Sequence, residues 1–248
     1  MNKKIIITII LGLILISFFS FSKNQDEKKI IIVGTNAEYF PFSFIENNEF
    51  KGFDIDVAKE VCKRLNKKIY IKDMPFETLI PEIILGHLDF AAAGLTYTEE
   101  KAKRVLFTKP YLTDDSLVMF TLASRKKNIQ FNDLSDKKIL VNEGYTADLF
   151  VSKIPNLNII RLNSPVDAFL ALQSGNADVF VTAKSTLSGF IKKTNFEKFH
   201  FTEIENSEDQ YSLVVSKKKP EMLEKVQKIL DTLIEDGTID QLKIKWNL

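Results

Sequence analysis

The run Gly94-Leu95-Thr96-Tyr97-Thr98-Glu99-Glu100-Lys101 places hydroxyls and a cation together, where an apolar segment ends and a helical one begins. Thr98 is a good N-cap for a helix opening on Glu99 and Glu100, whose charges suit the positive end of a helix dipole. Lys101, at the third helical position, does not suit it. Either Lys101 points into solvent, or it converges with Thr96 and the free N–H groups on an anion. The chemistry indicated is capture of a carboxylate.

Such a turn needs a strand and two helices to hold it. Leu79, Ile80, Ile83 and Ile84 recur at helical spacing, and Gly86 can close that helix with positive φ. Asp89 to Ala93 reads as a short strand, and the small residues from Ala91 to Gly94 let a backbone or ligand come close. Upstream, Ile30 to Val33 is an apolar strand followed by Gly34-Thr35-Asn36, at the sheet edge where open α/β sheets carry ligand loops. Next comes an aromatic cluster from Tyr39 to Phe44, stiffened by Pro41. Tyr39, nearest the strand end, is the ring expected in a cleft. A helix from Asp54 to Leu65 and a strand from Lys68 to Asp73 lead to Phe76, which would face Tyr39 across a flat ligand. Core packing is the alternative for both rings.

From Lys138 the organisation starts again: strand 139–141, the loop Glu143-Gly144-Tyr145-Thr146, helix 147–153, strand 157–162, helix 165–174 and strand 179–181. Gly175-Asn176-Ala177-Asp178 before the last strand matches Gly86-His87-Leu88-Asp89 before Phe90. The repeated β-α-β-α-β order predicts an α/β protein of two similar lobes, each a mostly parallel sheet flanked by helices. Two β-rich runs, Ser116 to Phe120 and Gln210 to Ser216, read as hinge strands between them. The expected division is residues 23–115 plus 212–248 as one discontinuous lobe and 116–211 as the other, with crossings near 114–120 and 210–216. A hinged cleft is built to close on a small molecule.

Composition narrows the class of function. Residues 1–22 are a basic pair and an apolar run with Ser20 and Ser22 placed for cleavage after Ser22, the pattern of a secretory signal. The net charge of +1 is too balanced to suggest nucleic acid or an anionic membrane as partner. The single Cys62 lies on a helical apolar stripe, so neither a disulfide nor a cysteine-based metal site is expected. His87 and His200 are far apart, and no nucleophile, base and acid stand at recognisable spacing. No catalytic residue, metal or cofactor is predicted.

The motifs GTNAEYFPFSF, GFDIDVAKEV, LIPEIILGHLDFAAAGLTYTEEKAKRVLFTKPY, LVNEGYTA, LQSGNADVF and IEDGTIDQLKIKW resemble those of the bacterial extracellular solute-binding proteins of family 3. The resemblance runs from about Lys29 to the C-terminus and implies a type II periplasmic-binding-protein-like fold. It also implies a periplasmic, monomeric receptor that delivers a polar amino acid or related carboxylate to an ABC-transporter permease. Carried over by position, the ligand is met by Asn36 on its side chain, by Tyr39 and Phe76 as aromatic lid, and by the Gly94 carbonyl at its ammonium. Thr96, Lys101 and the Thr146 region meet its carboxylate. Two departures stand out. Lys101 is usually Arg in the family, and Ala183 is usually the Asp that receives the α-ammonium. Glu143, Glu208 and Asp209 are the acids that could replace it; otherwise the ligand lacks an ammonium. Cyclohexadienyl dehydratases resemble the same fold, which makes a carboxylate-processing enzyme the alternative, although no acid here stands out as its proton donor.

Overall fold

A computed structural model describes residues 30–124, 129–191 and 196–248. The expected signal segment 1–22 lies outside the described residues, as does the expected start of the first lobe at residue 23. Among the described residues no helix is long and apolar enough to cross a membrane.

The first half runs β1 (Ile30–Thr35), β2 (Glu38–Tyr39), β3 (Ser43–Glu46), β4 (Glu49–Lys51), α1 (Phe53–Arg64), β5 (Lys68–Asp73), a 3₁₀ turn (Phe76–Thr78), α2 (Leu79–Leu85), β6 (Phe90–Thr96), α3 (Glu99–Ala102), β7 (Val105–Phe107) and β8 (Leu112–Asp115). β9 (Leu117–Leu122), β10 (Lys138–Asn142), α4 (Thr146–Val151), β11 (Asn158–Leu162), α5 (Pro165–Gln173), β12 (Val179–Ala183), α6 (Lys184–Ile191) and β13 (Phe199–Glu203) follow. β14 (Asp209–Ser216), α7 (Pro220–Glu235) and α8 (Thr238–Trp246) complete the chain.

Two large sheets result, ordered β5-β1-β6-β14-β7 with β8 on β14, and β11-β10-β12-β9-β13. Both are mixed. β1 with β6, and β10 with β11 and β12, pair in parallel. The crossing strands β9 and β14 pair antiparallel to their neighbours. Each crossing strand arrives from the other lobe with no crossover helix before it, and parallel pairing needs such a connection. The expectation of mostly parallel sheets therefore holds only away from the crossings.

Strand alternation sets the faces of the second sheet. Leu117, Met119, Ile139, Val141, Val179 and Val181 form one buried cluster, while Val118, Phe120, Leu140 and Phe180 form another with Phe169 of α5. The first sheet is packed by α1, α2 and α7 through Val57, Val61, Leu79, Ile83, Val226 and Leu230, all buried. Cys62 is buried in this core, and burial pushes its thiol up to about 12.

The repeated Gly-x-x-Asp motif does the same job in both lobes. Gly86 closes α2 in the left-handed region at φ 87°, a conformation that costs a side-chain-bearing residue energy. Three residues on, the Asp89 N–H donates to the Ile32 carbonyl at 2.8 Å, and the Asp89 carboxylate accepts from the Ile32 N–H at 2.8 Å. In the second lobe the Asp178 N–H donates to the Lys138 carbonyl at 2.9 Å, and its carboxylate accepts from the Lys138 N–H at 2.7 Å. Each Asp clips the incoming strand to its parallel neighbour and so sets the register that brings the strand ends to the cleft. Asp89 is also paired with Lys219 at 2.9 Å and is buried. Asp89→Ala should therefore lower the unfolding free energy by about 2–4 kcal/mol, against about 1 kcal/mol for the half-buried Asp178→Ala, as read from urea denaturation.

Candidate functional site

The ends of β1 and β6 are fastened side by side: the Thr35 hydroxyl lies 2.7 Å from the Ala92 carbonyl and 2.7 Å from the Ser43 hydroxyl. Asn36 follows, its amide donating to the Met74 carbonyl at 3.3 Å. Tyr39 is buried, and its ring presses on Gly94. A Cβ at Gly94 would stand 2.6 Å from the Tyr39 ring, and the residue holds φ 58°, so the strand can pass the ring only as glycine. The Gly94 N–H donates to the Asp54 carboxylate at 2.5 Å, and the Tyr111 hydroxyl donates to the same group at 2.7 Å. Asp54 thus ties the end of β6 to the chain that leaves α3. Its burial pushes its carboxyl up to about 7.

Beyond Gly94, Thr98 caps α3 by accepting from the Lys101 N–H at 3.1 Å, so Lys101 does occupy the third helical position. Its ammonium lies 5.7 Å from the centre of the Phe76 ring. Burial lowers the Lys101 pKa, and the charges of Asp209 and Glu100 oppose that shift. From the second lobe, the β10–α4 loop delivers Tyr145 and Thr146. The Thr146 hydroxyl donates to Asp209 Oδ1 at 3.0 Å, and the Thr96 hydroxyl from the first lobe donates to the same oxygen. Burial raises the Asp209 carboxyl to about 6 against the pull of these two hydrogen bonds.

All seven residues singled out from the sequence lie around this cluster. Tyr39, Gly94 and Thr146 line a cavity of about 10 Å³ with Asn142, Tyr145, Ala183 and Asp209 among others. Thr96 reaches it through Asp209, and Asn36 and Phe76 through Tyr145, whose ring centre is 4.4 Å from that of Phe76. The Lys101 ammonium stands over the Phe76 ring. Of the three replacement acids, Asp209 is buried in the cleft, whereas Glu143 and Glu208 are exposed.

Other participants were not found in the sequence. The Tyr39 hydroxyl is 2.8 Å from the Tyr211 hydroxyl, which donates to Asp115 at 2.9 Å. Asp115 in turn accepts from the Ser185 N–H at 3.0 Å at the start of α6. This chain of buried groups fixes the Tyr39 ring from the hinge side. Asn142 donates to the Leu162 carbonyl at 3.1 Å, while its buried Oδ1 has no hydrogen-bond partner. Among the described residues, no group of His, Cys, Asp or Glu could hold a metal ion.

The fold and cleft define a two-lobed binding protein of type II, with groups from both lobes meeting at Asp209. A family model for bacterial extracellular solute-binding proteins, family 3, matches residues 31–248. The chain belongs to that family. It is 29% identical over 239 residues to ABC transporter arginine-binding protein 1 of Escherichia coli (strain K12), covering 94% of this chain and 96% of the relative. It is 30% identical over 217 residues to a probable histidine-binding protein of Campylobacter jejuni, covering 87% and 84%. Among solved structures, an ancestral arginine-binding protein bound to arginine superposes with a TM-score of 0.81 at 31% identity, covering 88% of this chain and 98% of that one. The ancestral amino acid-binding protein AncCDT-1, a precursor of cyclohexadienyl dehydratase, gives 0.80 at 29% identity, covering 92% and 99%.

The two raised carboxyls have a consequence for stability. Unfolded, both titrate near 4. Folded, Asp54 and Asp209 hold their protons up to about 7 and about 6. The stability they contribute is full below about pH 4 and is lost as pH rises through those values. Urea midpoints measured from pH 4 to pH 7 should fall more steeply in the wild type than in Asp54→Asn or Asp209→Asn.

Proposed function

We propose that this protein is the receptor of an ABC importer, which captures a polar amino acid or related small carboxylate between its lobes and delivers it to a membrane permease. One observation carries the reading: hydroxyls from opposite lobes, Thr96 and Thr146, converge on a single carboxylate, with the Lys101 ammonium over the neighbouring Phe76 ring and its charge felt by that carboxylate. Donors arranged this way suit a ligand carboxylate, and they are complete only when the lobes are shut. A ligand that adds contacts in the shut state shifts the population toward it.

In this reading the ligand carboxylate takes the hydroxyls of Thr96 and Thr146 and the charge of Lys101. Asp209, released from those hydroxyls, then faces the ligand ammonium, with the Gly94 carbonyl and the unpartnered Asn142 Oδ1 beside it. Asp209 would supply the acid missing at Ala183. Tyr39, Phe76 and Asn36 border the side-chain end. Export to the periplasm, signal cleavage near Ser22 and action as a monomer belong to the same proposal, in keeping with the extracellular character of the family.

The named relatives are binding proteins. A dehydratase is the second reading, favoured by one observation: Asp209, held protonated up to about pH 6, is an acid placed in the cleft. Incubation with a cyclohexadienyl carboxylate tests it, since turnover would give an aromatic product with its own ultraviolet absorption. None is expected.

A thermal-shift screen of the purified protein against the standard amino acids, their deaminated analogues and small dicarboxylates tests the main reading. A ligand at a hundred times its dissociation constant should add about 2.7 kcal/mol. Lys101→Ala should weaken that ligand by about tenfold or more in calorimetry, the worth of one charge-assisted contact. Unchanged affinity would place Lys101 outside the site.

A further inference from the structure

The slot expected to hold the ligand side chain already has an occupant. Tyr145 reaches from the second lobe into the first, where its ring centre stands 4.4 Å from Phe76 and 5.2 Å from Tyr39, edge-on to the latter. Its hydroxyl donates to Asn36 Oδ1 at 2.9 Å. The residue is only 8% exposed. Phe76, Tyr39 and Asn36 thus hold a phenol of the protein itself. The space left beside it, about 10 Å³, has room for about one water molecule.

The loop that carries Tyr145 is braced. Its N–H donates to the Asn142 carbonyl at 3.1 Å, and the Gly144 N–H donates to Asp148 at 3.1 Å. Asp148 is buried and held by Arg161 at 3.0 Å. The backbone therefore presents the phenol from a fixed position whenever the second lobe closes.

We propose that Tyr145 is the specificity-determining residue of the cleft, and that it restricts the receptor to ligands with a short side chain. The proposal rests on the amino-acid-receptor reading above and deepens it. A ligand seated on the first lobe with a short side chain leaves the slot open. On closure Tyr145 re-enters, regains both ring contacts and its bond to Asn36, and adds them to the closed state. A long or planar side chain laid between Tyr39 and Phe76 takes the same volume as the phenol. It expels Tyr145 from its ring contacts and from Asn36, and closure loses what it would have gained. Discrimination thus arises on lobe closure, by competition for one slot.

Calorimetry on the wild type and on Tyr145→Ala, with glycine, L-alanine and L-serine set against L-arginine, L-glutamine and L-histidine, tests this. The wild type should bind at least one of the short group about tenfold or more tighter than any of the long group, and Tyr145→Ala should erase or reverse that order. Tyr145→Phe keeps the ring and guards against a misfolded variant. It should retain the order while losing about 2–10-fold of the preference, the worth of one neutral hydrogen bond. Long-chain amino acids bound as tightly by the wild type as by Tyr145→Ala would overturn the proposal alone. No binding of any of the six by either protein would overturn the proposal, and the receptor reading falls with it only where the wider screen of amino acids, deaminated analogues and dicarboxylates is blank as well.

Discussion

The closed arrangement turns on the carboxylate of Asp209. It sits on a hinge strand, belongs to neither binding surface outright, and takes hydroxyl donors from both. Removing a carboxylate from water is costly, and two neutral donors repay only part of the cost, which is why its affinity for a proton rises. The nearby Lys101 is burdened in the opposite sense, since burial lowers its pKa. A buried acid and a half-buried base that do not meet are each under-compensated. A zwitterion that brings one charge of each sign to this cleft relieves both together.

What aims these groups is strand register. The Asp89 and Asp178 clips fix how far β6 and β12 run beside their parallel neighbours, and hence where Gly94, Thr96 and Ala183 emerge. Asp54 then pins the Gly94 N–H, and the Tyr39–Tyr211–Asp115 chain holds the lid ring against it. Apart from the half-buried Asp178 clip, these contacts are made by buried polar side chains, and such contacts tolerate little displacement because an unmet donor or acceptor in the core costs about 1–3 kcal/mol.

Local chemistry was legible in the sequence, and encounters across the cleft were not. The Thr98 cap and the Gly86 turn act within a few residues, so spacing alone exposed them, and repetition exposed the Gly-x-x-Asp motif although its clips to Ile32 and Lys138 reach far along the chain. Cys62 read as a core residue because helical periodicity placed it there. Asp54 entered the sequence reading only as the start of a helix, because its partners Gly94 and Tyr111 lie far along the chain. Tyr145 read as a loop residue for the same reason: its contacts with Asn36, Tyr39 and Phe76 exist only once two lobes are folded and shut. The mixed character of the sheets escaped notice because strand direction depends on which lobe the chain arrives from, and no local pattern encodes that.

Self-occupied subsites change what a ligand must supply. Asp209 satisfies the hydroxyls of Thr96 and Thr146, and Tyr145 fills the space between Tyr39 and Phe76, so the lobes can shut on contacts of their own. A ligand then gains only the difference between its contacts and those it replaces, because a contact equally good in both states shifts nothing. For the charged end that difference favours the ligand, since an ammonium and a carboxylate compensate Asp209 and Lys101 better than two hydroxyls do. For the side-chain end it favours the protein, since a phenol already packed and hydrogen-bonded is hard to better. The cleft therefore selects strongly on what all amino acids share and selects against length in what distinguishes them.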